Sequence, residues 1–414
     1  MARLHLGIAG VGIGALQILP DLRRIADKVE IAALADLRHD NMEYFAAQYG
    51  KAIPMYDEVA PMCADRKVDA VWVATPNRFH AEHVIAAADR GKHVICEKPM
   101  AVTLAQCEAM VQAIERNGVK YVQGHSKVYD APIQKMGEIL AAGEKNELGR
   151  VIHIETWNWN DWMIRSLLAD EVETRLGTGV VFRQGPHQID TVRYLGGGVV
   201  RSVKAIAGRW HPPFPNGEGN YTALLEFENG VAATLVFDGY GYFDSTELTW
   251  GIGEAGKLHR NSESIIGRER PPGPISTDEK YARVRAGNPY GYGRGGGWIA
   301  DAPQRQPFYG LTIVSCERGV MRQSQDGIYI YGEQGRREVT LPPSIGRASE
   351  LLELYQAIED DRPTAMDARW GMATTEVCLA ILESTQQRAE IRLSHQSASP
   401  LELRSRNSTP QIAN

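Results

Sequence analysis

The sequence predicts an α/β protein of two domains. Residues 1–124 read as a doubly wound parallel sheet, and residues 125–392 as an α+β domain with a large, mostly antiparallel open sheet. A polar tail follows at 393–414. Three observations predict this. Short apolar runs alternate with helical patterns of about 10–15 residues at the start of the chain, which implies right-handed crossovers. Beyond residue 125 the alternation gives way to closely spaced strand patterns. The chain has 414 residues, 43% hydrophobic and 23% charged, enough for more than one sizeable core.

The elements follow in order. RLHLGIA (3–9) is a buried-strand pattern, followed by a glycine turn and an amphipathic run to about residue 27. VEIAALA (29–35) is a second strand ending at Asp36, and 40–50 is helical. VDAVWVATP (68–76) is a third strand, 79–90 a helix closed by Gly91, and HVICEKP (93–99) a fourth strand. Residues 103–117 form a helix with Thr103 as N-cap and Gly118 at its end; VKYVQGH (119–125) is the fifth strand. In the second domain a helix at 131–142 leads to a strand at 150–159, a loop, and a helix from Pro186 to Leu195. Strands are expected at 200–210, 220–228, 231–240, 246–252, 311–316 and 327–332, with Asn229-Gly230 turning a hairpin. Helices at 347–360 and 369–388 close the domain. There is no internal repeat. The stretch AGNPYGYGRGGGWIADAPQRQPFYG (286–310) suits a lid or an oligomer-contact loop better than a single-stranded nucleic-acid contact.

Composition narrows the function. Net charge is −6, from 45 Lys and Arg against 51 Asp and Glu, and argues against a nucleic-acid surface. No apolar window is long enough to span a membrane. The five cysteines (63, 96, 107, 316, 378) include no CxxC pair, which fits a reducing, cytoplasmic compartment and no structural metal. The N-terminal apolar stretch is too glycine-rich for a secretory leader and reads as mature structure.

The chemistry-bearing residues cluster at strand ends. Gly10, Gly12 and Ala15 make a G-x-G-x-x-A turn that follows a strand and opens a helix at Ile13. Gly10 permits the tight turn, Gly12 a close approach of the backbone to a pyrophosphate, and Ala15 close helix–strand packing. Asp36, at the expected distance, accepts ribose hydroxyls and repels a 2′-phosphate, so NAD is favoured; Arg38 leaves NADP open. Thr75-Pro76-Asn77 and Glu97-Lys98-Pro99 end the third and fourth strands and, in such a sheet, face the same crevice. Lys98 falls at the nicotinamide end. His80 and His83, three apart on a helix, read as surface or capping residues rather than metal ligands, with His80 counted at the cofactor site.

This order of motifs, with GPHQID later in the chain, resembles the glucose–fructose oxidoreductase, inositol dehydrogenase and rhizopine catabolism (Gfo/Idh/MocA) family over residues 3–395. The resemblance implies a nicotinamide-dependent oxidoreductase built from a Rossmann domain and an α/β domain with an open sheet. It implies Lys98 and His187 as the active-site pair, Glu97 at the cofactor, and homodimers or homotetramers through the C-terminal sheet. One position departs. The residue four before the histidine is commonly an aspartate in the family, and here it is Arg183. That counts against a sugar or cyclitol, still the main rival substrate class, and suggests an anionic small molecule. Arg165 and Arg175 are further candidates for its charge, and Trp157, Trp159 and Trp162 either line a pocket for a flat ring or belong to the core. Asp190 is a candidate to orient His187, or else a helix-surface or inter-domain contact. WNWNDW, FRQGPHQID and the closing ARWGMATTEVCLAILESTQQRAEI resemble the family's aromatic cis-dihydrodiol dehydrogenases.

Overall fold

The computed structural model describes residues 3–143, 146–209, 215–258, 273–286 and 303–401. The chain divides into two compact units, residues 1–126 with 345–375, and residues 127–344 with 376–414. Most of the glycine–aromatic stretch (287–302) and the end of the tail (402–414) lie outside the described residues.

The first unit runs β1 (Leu4–Ala9), α1 (Ile13–Gln17), α2 (Leu19–Arg24), β2 (Val29–Ala35), α3 (His39–Tyr49), β3 (Met55–Tyr56), α4 (Val59–Ala64), β4 (Ala70–Val73), α5 (His80–Ala88), β5 (His93–Glu97), α6 (Leu104–Asn117) and β6 (Tyr121–Gly124). Its six strands are parallel in the order β3-β2-β1-β4-β5-β6. β4 and β6 are buried along their whole length, as a sheet covered on both faces demands. The single helix expected over 13–27 is two. Pro20 has no N–H for the Leu16 carbonyl and its ring crowds that carbonyl, so the helix stops and restarts. β3 and α4 were not anticipated; at 2 and 6 residues they are too short to show a hydrophobic period. Thr103 caps α6 as expected, its side chain accepting from the Gln106 N–H.

The second unit holds α7 (Ala131–Ala141), β7 (Val151–Trp159), α8 (Gly179–Arg183), α9 (Gly185–Gly196), β8 (Val200–Gly208), β9 (Asn220–Phe227), β10 (Ala232–Asp238), α10 (Thr277–Arg285), β11 (Leu311–Cys316), β12 (Gly319–Gln323), β13 (Gly327–Gly332), β14 (Gly335–Thr340) and, after α11 (Ala348–Glu359) and α12 (Ala368–Gln387), β15 (Ile391–Arg392). Among the described residues nine strands are ordered β14-β13-β12-β11-β7-β10-β9-β8-β15, antiparallel except where β10 lies beside β7. Gly230 turns the β9–β10 hairpin at φ +84°, and Asn229 Oδ1 accepts the Val231 N–H. The strand expected at 246–252 is instead a 3₁₀ turn, Ser245–Thr249. Asp244 Oδ1 accepts the Thr246 N–H at 2.8 Å, a local bond that outcompetes the β-propensity of Thr, Leu and Trp. β14, rich in arginine and exposed along most of its length, forms one edge.

Two parts of the expected domain plan are corrected. Residues 345–375, expected in the second domain, pack with the first. α11 buries Leu351, Leu354 and Ala357, and the Met366 carbonyl accepts the Gln123 N–H at 2.8 Å, pairing with β6 at the sheet edge. Residues 393–401, expected to fray, are fastened to the second unit. The Glu376 carboxylate accepts the N–H groups of Ser394 and His395 and the Gln396 amide, and Ser399 donates to the Tyr194 carbonyl. Buried Arg193 donates to Gln396 Oε1 at 3.2 Å.

Candidate active site

In the first unit Asp36 and the end of β4 both meet the Gly10–Gly12 turn. Gly10 has φ +89°, and a Cβ there would stand 2.7 Å from the Ala74 carbonyl and the Thr75 N, so only glycine lets the β1 and β4 ends approach. Gly12 caps α1. Asp36 folds back onto this turn, Oδ2 accepting the Val11 N–H at 2.7 Å and Oδ1 the Arg38 N–H at 2.8 Å. Each oxygen keeps a lone pair for a ribose hydroxyl. The Arg38 guanidinium is taken by Asp40 at 3.1 Å. An acid at the turn with its neighbouring cation engaged suits NAD and opposes a 2′-phosphate.

The surface reading of His80 is corrected. This residue is fully buried, with Nδ1 2.8 Å from the Pro99 carbonyl and Nε2 2.8 Å from the Thr75 carbonyl. The ring ties the Thr75-Pro76-Asn77 turn to the Glu97-Lys98-Pro99 turn, and burial holds it below the usual imidazole range. His83 Nδ1 lies 2.9 Å from Thr75 Oγ1. Among the described residues no group of three or more His, Cys, Asp or Glu is placed to hold a metal ion.

Glu97 ends β5 and Lys98 follows, half-buried. Gln123 Nε2 donates to the Cys96 and Glu97 carbonyls at 3.0 and 3.2 Å and so fixes the backbone beneath Lys98. The Glu97 carboxylate pairs with Arg347, which also pairs with Glu350 at 3.1 Å. Burial pushes the Glu97 carboxyl up, but Arg347 and Lys98 outweigh it and hold it below the usual range. Glu350 is pushed up by burial, which Arg347 offsets only in part.

The model described as the oxidoreductase family with an NAD-binding Rossmann fold matches residues 4–125, and the GFO/IDH/MocA C-terminal domain model matches residues 133–259. The chain belongs to the Gfo/Idh/MocA family. It is an NAD-binding oxidoreductase. It is 32% identical over 389 residues to the 1-carboxy-3-chloro-3,4-dihydroxycyclohexa-1,5-diene dehydrogenase of Comamonas testosteroni, covering 92% of this chain and 94% of that one. A Bordetella bronchiseptica RB50 protein named as a dehydrogenase superposes with a TM-score of 0.82 at 32% identity, over 94% of this chain and 100% of that one. An inositol 2-dehydrogenase of Salmonella paratyphi B is 25% identical over 256 residues, 61% of this chain and 73% of that one.

The second unit of this Gfo/Idh/MocA chain carries His187 in the first turn of α9, a helix buried on every side. The imidazole stands edge-on to Tyr309 with ring centroids 4.8 Å apart, and Tyr309 Oη donates to Gln184 Oε1 at 2.7 Å. His187 lines a small polar hollow with Lys127, Asp130, Thr156, Gln188 and Tyr309. Gln188 is locked by Tyr221 Oη at 2.5 Å and the Val236 carbonyl at 3.1 Å. Asp190 is fully buried, which removes the helix-surface reading.

Arg183 finds an internal acid, Glu171, at 3.4 Å, and Glu171 also takes Lys280. Arg165 pairs with Asp161 at 2.8 Å, both nearly buried, and Arg175 is an exposed residue beside Glu173. Trp159 is half-buried with its ring edge against Phe243, and Trp162 is core. The residues sequence reasoning missed are Lys127, Gln188, Tyr309 and Arg347. Gln188 lay inside the GPHQID run, next to the histidine; no local pattern marks the other three.

Proposed function

We propose that this protein oxidises a carboxylated aromatic cis-dihydrodiol, of the phthalate 4,5-dihydrodiol type, to the corresponding catechol. The observation that carries this reading is the likeness, over 92% of the chain, to a dehydrogenase whose named substrate is a carboxylated dihydroxycyclohexadiene. NAD⁺, which the Gly10–Gly12 turn and Asp36 would hold, would supply the acceptor for the hydride of the carbinol carbon. Lys98 takes the hydroxyl proton as the C–H bond breaks and the C=O bond forms, and His187 hydrogen-bonds the same carbinol. The resulting hydroxydienone tautomerises to the catechol, so diol and NAD⁺ give catechol, NADH and a proton. Of the cations near His187, Lys127 lines the same hollow and is the proposed receiver of the carboxylate, which would share it with Glu254, 3.6 Å away, while Arg183 serves Glu171.

A second reading, a cyclitol dehydrogenase, draws on the inositol 2-dehydrogenase likeness. The deciding experiment is a panel of carboxylated and uncarboxylated cis-dihydroxycyclohexadienes, inositol and glucose, followed at the NADH absorbance band. Oxidation of inositol with inert diols would exchange the two readings. We also propose self-association through the open sheet, supported by the exposed Ile206 and Leu224 on adjacent strands β8 and β9. A cytoplasmic setting is supported by the five buried cysteines, none in a disulfide.

A further inference from the structure

Glu97 and Lys98 are neighbours at the end of β5, and a carboxylate beside a lysine favours the lysine's protonated form. Proton uptake by Lys98 needs the opposite. The structure supplies a competing cation from 250 residues further along the chain, where Arg347 pairs with Glu97 Oε1. Arg347 is itself anchored at four points. Its Nε and Nη2 donate to Glu350 at 3.1 and 3.3 Å, it stacks 5.1 Å from the Trp72 ring centre, and its backbone N–H is held by Asp21 Oδ2 at 3.0 Å. Gly346 serves the same anchorage, since a Cβ there would lie 2.6 Å from Asp21 Oδ2. The charged and titratable groups around Glu97 are Arg347, Lys98 and His80, and around Glu350 they are Arg347, Glu97 and His125.

We propose that Arg347 is a positioning residue for proton transfer at Lys98, dividing the Glu97 charge so that Lys98 does not carry that counter-charge alone. The proposal rests on Lys98 being the proton acceptor. A second cation on Glu97 lowers the field it exerts on Lys98, and the Glu350 chelate keeps Arg347 from turning away. Replacing Arg347 by an uncharged residue of similar length leaves Glu97 to Lys98.

The test is the pH dependence of kcat/KM for the full-length protein with NAD⁺ and a carboxylated cis-dihydroxycyclohexadiene. In Arg347→Met the acidic limb should move to higher pH by about one unit. Arg347→Lys should leave it near its original place, and Glu97→Gln with Arg347→Met should bring it back. An unmoved limb in a folded Arg347→Met protein overturns the proposal. If Arg347→Met fails to fold, Glu97→Gln alone decides. A limb displaced to lower pH supports charge sharing, and an unmoved one refutes it. Lys98→Ala separates the two levels: retained turnover there refutes the proton route itself, whereas lost turnover with an unmoved limb refutes only the role of Arg347.

Discussion

The Asp36 carboxylate holds the Val11 N–H at 2.7 Å, so the residue proposed to select the cofactor also shapes the glycine turn beside it. Asp36→Ala therefore removes two things at once. Catalytic efficiency with NAD should fall by at least about thirtyfold, from the lost charge-assisted bonds, and the preference over NADP should shrink. Steady-state kinetics with both cofactors reads this directly. Equal efficiency with NAD and NADP in the unaltered protein would refute the assignment of Asp36.

Lys98→Ala should leave NAD binding nearly unchanged and lower kcat by about 10²–10⁴-fold, the usual share of a proton-transfer group. His187→Ala should also lower kcat, and the double variant should lose less than the product of the two single effects. NADH fluorescence titration checks the first part and stopped-flow turnover the second. Multiplicative losses would mean that the two side chains act independently.

Arg183→Met and Lys127→Met should behave differently. Glu171 keeps Lys280 when Arg183 is lost, so the first change should cost stability by about 1 kcal/mol and reduce kcat/KM equally for charged and uncharged diols. Lys127→Met should raise KM selectively for carboxylated diols, by about thirtyfold or more if the pair is desolvated. Selective loss in Arg183→Met would transfer the carboxylate to that residue.

Glu376 predicts an acid-labile C-terminal strap. Burial pushes its carboxyl up, but bonds from Gln396, Ser394 and His395 outweigh it and hold it below the usual range. A depressed folded value means that the stabilisation is complete above the unfolded carboxyl range and is lost as pH falls through the folded value. Glu376→Gln should therefore destabilise at neutral pH by about 1–3 kcal/mol and flatten the acid side of the stability curve. Urea titrations across the acid range would show this, and parallel curves for the two proteins would exclude it.

Legibility followed distance along the chain. Gly10, Gly12 and Asp36 were readable because one strand–turn–helix–strand unit fixes their spacing, and the structure adds only that Asp36 grips the turn. His80 was misjudged because a helix-start histidine looks exposed until the two carbonyls it bridges, Thr75 and Pro99, are brought together. The sequence offers Arg183 as a substrate anchor but not its partner Glu171, which sits in a segment whose short 3₁₀ turns carry no period. Ser394, His395 and Gln396 look like tail composition, and nothing local announces that buried Glu376 will collect their donors. Arg347 is the extreme case, since its partner Glu97 lies in a different region of the sequence altogether.

The Gln123–Met366 pairing bears on how the protein is made. A ribosome delivers β6 long before it delivers residues 345–375, so throughout synthesis of the intervening chain the nascent nucleotide-binding unit has an open strand edge and an apolar strip awaiting α11. Glu97 waits in the same interval for its arginine. A polypeptide halted before residue 345 is then more than a shortened enzyme: it is a sticky one, of the kind that holdase chaperones and proteases recognise, and a late stretch of the message decides whether an early one is safe.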